Sequence, residues 1–184
     1  MPTSEILEAA RSITDGGVIA YPTEAVYGLG CDPLNENSVL RLLKLKQRDP
    51  AKGLILIAAD FQQLEPFVKP ISDQQMATVS ATWPGPVTWL FPAADDTPGW
   101  LTGNHSTLAV RVTAHPVAAE LCKAFGGPLV STSANISSRE PARSAVEVRG
   151  QFDDKLAAIV TGQIDQSRQP TPIFDAISGE QVRK

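Results

Sequence analysis

Lys46-Gln47-Arg48-Asp49-Pro50-Ala51-Lys52-Gly53-Leu54-Ile55-Leu56-Ile57-Ala58-Ala59 is the stretch from which the fold can be read. Residues from about Asn37 to Lys46, with Val39, Leu42 and Leu43 on one face, have the spacing of an amphipathic helix. The apolar run Leu54 to Ala58 shows no polar alternation, which predicts a strand covered on both faces. Working outward, the alternation repeats. Thr3 or Ser4 caps a helix carrying Ile6, Ala9, Ala10 and Ile13 at helical spacing, closed by Gly16-Gly17. Val18 to Tyr21 reads as a strand stopped by Pro22. Ser72 with Gln75 marks a capping box and a helix to about Thr82. Trp83-Pro84-Gly85-Pro86 breaks it before a strand at Val87 to Phe91. Leu108 to Val112 is another strand, Pro116 to about Phe125 a helix, and Leu129 to Ser131 a strand. A second capping box is expected at Ser144 and Glu147. Strands at Leu156 to Val160 and Ile173 to Ile177 follow, and Ser178-Gly179-Glu180 turns a last strand through Val182. The fold class expected is α/β: a single domain over 1–184, with a twisted mixed open sheet and flanking helices.

Composition narrows the function classes. At 184 residues and 42% hydrophobic content, the chain can bury a sizeable core. No run approaches the roughly 18 apolar residues of a membrane span. The start, Met1-Pro2-Thr3-Ser4-Glu5, lacks the basic and apolar segments of a secretion signal, so a cytoplasmic location is expected. Cys31 and Cys122 are expected as buried free thiols. With only His105 and His115 to join them, no zinc site and no metal ligand is assigned. The net charge of −4 argues against a general nucleic-acid binder. Locally, however, Arg41, Lys44, Lys46, Arg48 and Lys52 cluster within twelve residues, and Arg139, Arg143 and Arg149 form a second basic group. A solvated helix face accounts for Arg41 and Lys44. Arg48 and Lys52 fall past the helix, in a loop.

Cations and hydroxyls placed at strand ends suit a triphosphate and a small carboxylate. No Walker A loop and no dinucleotide fingerprint is present. Gly28-Leu29-Gly30 is a lone glycine pair, read either as a turn needing positive φ or as part of a site. There is no nucleophile elbow, and Ser133 has no histidine partner in sequence. Its hydroxyl is therefore expected to hydrogen-bond rather than attack.

Tyr21-Pro22-Thr23-Glu24-Ala25-Val26-Tyr27-Gly28-Leu29-Gly30, the Lys46-x-Arg48 pair, Ala109-Val110-Arg111 and Ser131-Thr132-Ser133-Ala134-Asn135 together resemble the YrdC/TsaC family of threonylcarbamoyl-AMP synthases, in its short bacterial form. The resemblance runs from about Ile6 to the C-terminus. It implies an α/β twisted sheet with a positively charged concave cavity. The implied activity makes L-threonylcarbamoyl-adenylate and pyrophosphate from L-threonine, bicarbonate and ATP. In that family, separate proteins then transfer the threonylcarbamoyl group to adenosine 37 of tRNA. Magnesium is expected with ATP, without dedicated protein ligands. Weak, salt-sensitive tRNA binding and no membrane partner are expected.

Residue by residue, the resemblance implies Lys46 and Arg48 as catalytic, phosphate-binding cations, with Lys52 at another ATP-contacting position. Arg111 is implied for the threonine carboxylate, which a planar guanidinium fork suits. Thr23, Ser133 and Thr171 are implied on the threonine side, and Asn135, Thr107 and Arg143 on the ATP side. Read without the family, Thr23 serves a turn after Pro22, Asn135 a cap, and Arg111 an ion pair with an internal carboxylate. The chain departs from longer members at Ile57, where they carry histidine, at Ala51-Lys52-Gly53 and at Ile136-Ser137-Ser138. Two other functions stay open: a structured-RNA-binding module in tRNA or ribosome maturation, and a related synthase using carbamoyl phosphate.

Overall fold

The computed structural model describes residues 2–164 and 171–183. Among the described residues, six α-helices, α1 (Ser4–Thr14), α2 (Glu36–Lys46), α3 (Asp73–Ser80), α4 (Gly99–Thr102), α5 (Pro116–Phe125) and α6 (Ala145–Phe152), flank nine strands: β1 (Ile19–Pro22), β2 (Tyr27–Gly30), β3 (Ile55–Ala58), β4 (Thr88–Pro92), β5 (Thr107–Val112), β6 (Leu129–Ser133), β7 (Ala158–Ile159), β8 (Ile173–Asp175) and β9 (Gln181–Arg183). The strands form one mixed sheet in the order β7-β1-β2-β6-β3-β5-β4-β8-β9. β3 runs parallel to β5 and antiparallel to β6. The N-terminal half of β6 pairs with β3 and its C-terminal half with β2.

The run Leu54 to Ala58 lacks alternation because the sheet separates two cores. Leu56 and Ala58 join Val39, Leu42 and Leu43 of α2, together with Val110, Phe91, Val130 and Leu29. Ile57 joins the opposite core with Ile19, Tyr21 and Leu129. Ile6, Ala9, Ala10 and Ile13 of α1 cover that face, with Ala118, Leu121 and Cys122 of α5. Side chains alternate along each strand, so both sets must be apolar. Cys31 and Cys122 are buried free thiols, and burial pushes the Cys122 thiol up to about 12.

Helix ends follow the local chemistry. Thr3 caps α1 by accepting from Ile6 N, and Ser72 and Gln75 form a complete capping box. The second expected box is incomplete. Ser144 accepts from Glu147 N at 3.2 Å, but the Glu147 carboxylate reaches one residue further, to Arg143 N at 2.7 Å. That extra step ties Arg143 to the helix start. The short helix α4 had no signal in the sequence.

Gly28 and Gly30 correct the turn reading. Both lie in β2, paired with Tyr21 and Ile19, and neither is among the positive-φ glycines. What they need is the absence of a side chain. A Cβ on Gly30 would stand 2.7 Å from the Val130 carbonyl oxygen and 2.8 Å from Tyr21 Cε1. Gly30→Ala is therefore expected to destabilise the fold by about 2 kcal/mol, read as a lower denaturant midpoint. An unchanged midpoint would mean that the Tyr21 ring and the β6 backbone at Val130 both yield without loss.

Candidate active site

The face covered by α1 and α5 continues past those helices and is left open at the strand ends. Paired residues share a face of a sheet. Arg111 pairs with Ile57, Ser131 with Ile55, and Ser133 with Gly28. Arg111, Ser131, Ser133, Ile55 and Gly28 line a cavity of about 490 Å³, together with Thr23, Arg48, Thr88, Glu140, Arg143 and Thr171. That volume suits a small-molecule site. Three guanidinium side chains thus meet at one opening of a chain whose net charge is −4.

Each side chain arrives by a local device. Gln47 ends α2 in the left-handed conformation, and Arg48 N donates to Leu43 O at 3.0 Å. This turns the chain so that Arg48 borders the cavity, with its NH2 donating to Gly53 O at 3.0 Å. Thr23 begins the β1–β2 connection, and its Oγ1 donates to Val26 O at 2.6 Å. Tyr27 N donates to Ala142 O at 2.8 Å, holding the segment that carries Arg143 beside β2.

Arg111 is 6% exposed and sits between two polar partners. Its NH1 donates to Thr171 Oγ1 at 3.0 Å, and its NH2 lies 3.4 Å from Glu24 Oε2. Glu24 is itself fixed, because its Oε1 accepts from Thr113 Oγ1 at 2.9 Å and from Ala114 N at 3.2 Å. A buried carboxylate behind the guanidinium offsets part of its charge and fixes its plane. Glu24 stands inside the quoted Tyr21–Gly30 motif, yet as one carboxylate among apolar neighbours it carried no sequence signal for this role.

Lys46 and Asn135 are placed differently from the expectation. The Lys46 ammonium, in a residue 3% exposed, donates to Ser133 O, to Asn135 O at 2.9 Å and to Asn135 Oδ1 at 3.2 Å. Asn135 Oδ1 also accepts from Ser133 Oγ at 2.6 Å, while its Nδ2 donates to Ile136 O and Arg139 O. Both residues sit behind the cavity wall and organise the loop that presents Ser133. An ammonium with three donors is well suited to converging oxygens. Lys52 and Thr107 are not among the lining residues: Lys52 is exposed on the turn 50–52, and Thr107 starts β5 opposite Pro92. Thr23, Arg48, Arg111, Ser133, Arg143 and Thr171 are brought together. Among the described residues, no group of three His, Cys, Asp or Glu side chains gathers to hold a metal ion.

Comparison with known proteins gives this site a context. The family model for Sua5, YciO and YrdC proteins, described as "Telomere recombination", matches residues 11–184. The chain belongs to this family. Two relatives named threonylcarbamoyl-AMP synthase come from Coxiella burnetii and Halorhodospira halophila. The first is 51% identical over 98% of this chain and 97% of its own length. The second is 54% identical over 97% and 94%. Among solved family structures, P. abyssi Sua5 complexed with L-threonine superposes with a TM-score of 0.88 at 35% identity, over 95% of this chain. The chain spans about half of that protein, 52% of its length. E. coli YciO, 24% identical, shares the fold with a TM-score of 0.82. No helix among the described residues is long and apolar enough to cross a membrane.

Proposed function

We propose that this protein condenses L-threonine, bicarbonate and ATP into L-threonylcarbamoyl-adenylate and pyrophosphate, the first step in threonylcarbamoyl modification of adenosine 37 in tRNA. The observation that carries this reading is the cavity that joins the doubly held Arg111 to Arg48 and Arg143. The names of relatives at about half identity over nearly the whole chain support it.

The chemistry asks for positioning and charge neutralisation more than for covalent help. The threonine amine adds to the carbon of carbon dioxide, drawn from bicarbonate with loss of water. The nitrogen gives up a proton, and a carbamate forms. A carbamate oxygen then attacks the α-phosphorus of ATP, the bond from that phosphorus to the bridging oxygen breaks, and pyrophosphate leaves. Arg111 holds the threonine carboxylate. Thr23 and Ser133 have donated their hydroxyl protons to Val26 O and Asn135 Oδ1, so toward substrate they act as acceptors and suit the amine. Arg48 and Arg143 face the polyphosphate. Lys46 and Asn135 hold Ser133 in place. Magnesium would be held through the ATP phosphates and water rather than by a dedicated protein cage, and would neutralise polyphosphate charge alongside Arg48 and Arg143. The product passes to a separate tRNA-modifying complex, in the cytoplasm.

Pyrophosphate release by ribonuclease-treated protein is expected to require threonine, bicarbonate and ATP together, and to stop when magnesium is chelated. Release indifferent to threonine would overturn the proposal. An absolute need for RNA would favour an RNA-binding module instead.

A further inference from the structure

Thr88 opens β4 at the cavity wall, where the reaction as described gives it no task. The residue is 1% exposed, and its Oγ1 is buried without a hydrogen-bond partner. Buried polar atoms in native proteins are nearly always paired. An unpaired one facing a cavity is what a ligand atom completes.

Its neighbourhood is defined by register. Trp89 pairs with Val110 and Leu90 with Ala109, so Thr88 stands beside Arg111 on the adjoining strand. Thr88 N donates to Pro172 O at 3.0 Å, next to Thr171, whose hydroxyl accepts from Arg111. Three other hydroxyls on this side are engaged. Thr23 donates to Val26 O, Ser133 donates to Asn135 Oδ1, and Thr171 accepts from Arg111 NH1. A substrate hydroxyl both donates and accepts, and of these four hydroxyls Thr88 has both capacities open.

We propose that Thr88 reads the side-chain hydroxyl of L-threonine, hydrogen-bonding it while Arg111 holds the carboxylate of the same molecule. This rests on the proposed function and makes Thr88 a specificity-determining residue for it. A site that pairs a substrate hydroxyl rejects the analogue lacking it, because the site's own polar atom is then left buried and unpaired.

The test compares L-threonine with L-2-aminobutyrate, which lacks only the hydroxyl, in the pyrophosphate-release assay. Thr88→Val keeps the volume of the side chain and removes its hydroxyl. The variant is expected to lose about tenfold or more in kcat/KM for threonine, with little change for 2-aminobutyrate and none in the KM for ATP. Thr88→Ser should keep most of the preference. An unchanged ratio in Thr88→Val, or an equal loss for both amino acids, overturns the proposal. If Thr88→Val does not melt cooperatively, Thr88→Ala is read by the same ratio. Wild-type turnover indifferent to threonine would overturn the proposed function itself. Threonine-dependent wild type with an unaltered ratio in the variant overturns the Thr88 inference alone.

Discussion

Arg111→Ala is expected to lower kcat/KM for L-threonine by about two to three decades and to destabilise the fold by about 3–5 kcal/mol. The two losses have different origins. The catalytic loss comes from a substrate carboxylate without its guanidinium. The stability loss comes from Glu24, 4% exposed and 3.4 Å from Arg111, which is left as a buried charge without a cation. The double variant Arg111→Met with Glu24→Gln removes that orphan charge. It should recover most of the stability and none of the threonine use. Arg111→Lys should recover part of the activity, since a point charge replaces a planar fork. Denaturant midpoints and threonine titrations separate the effects. Normal threonine dependence in Arg111→Ala would make this residue purely structural.

Lys46→Met is expected to reduce kcat/KM for L-threonine by about two decades, near 2.7 kcal/mol of transition-state stabilisation. No direct contact with threonine need be lost. The ammonium converges on Ser133 O, Asn135 O and Asn135 Oδ1, and without it the loop presenting Ser133 loses its anchor. Lys46→Arg should rescue little, because a planar fork does not aim three donors at one point. The variant also has a pH signature. Burial, and secondarily the nearby Arg48 charge, lower the Lys46 pKa from 10.5 to about 8. Between those values the unfolded chain binds more protons than the folded one, so this group makes stability rise with pH across that window. Wild-type stability should therefore climb relative to Lys46→Met from about pH 8 to about pH 10.5. A difference that is flat over this range would mean that Lys46 is solvated in the fold. Threonine use unaffected by Lys46→Met would remove the loop-anchoring role.

For Thr23, Asn135 and Arg111, the structural reading and the functional one do not compete. Thr23 does bond the turn after Pro22, Asn135 does cap a loop, and Arg111 does pair with an internal carboxylate. In each case the structural contact fixes the atom that the proposed chemistry uses. A hydroxyl whose proton is engaged becomes an acceptor, and a guanidinium with a buried counter-charge keeps one orientation.

The sequence by itself determined the elements and their order apart from β2 and α4, because hydrophobic period and caps are local. It carried the double burial of β3 in the unbroken run Leu54 to Ala58, and the starts of α1 and α3 in Thr3, Ser72 and Gln75. It also carried the residue types of the site, through motifs whose spacing survives in the chain. What it left open depends on contacts far apart in sequence. Gly30 is glycine because Tyr21 and the Val130 carbonyl oxygen close on it across two neighbouring strands. Glu24 has a task only because β5 ends at Val112 and brings Thr113 and Ala114 beside it. Lys46 faces backbone oxygens of residues nearly ninety positions away rather than the cavity. Thr88 matters only where β4 lies against Arg111. The strand order decided these four, since it sets which polar atoms are buried together, and burial decides which of them must find a partner.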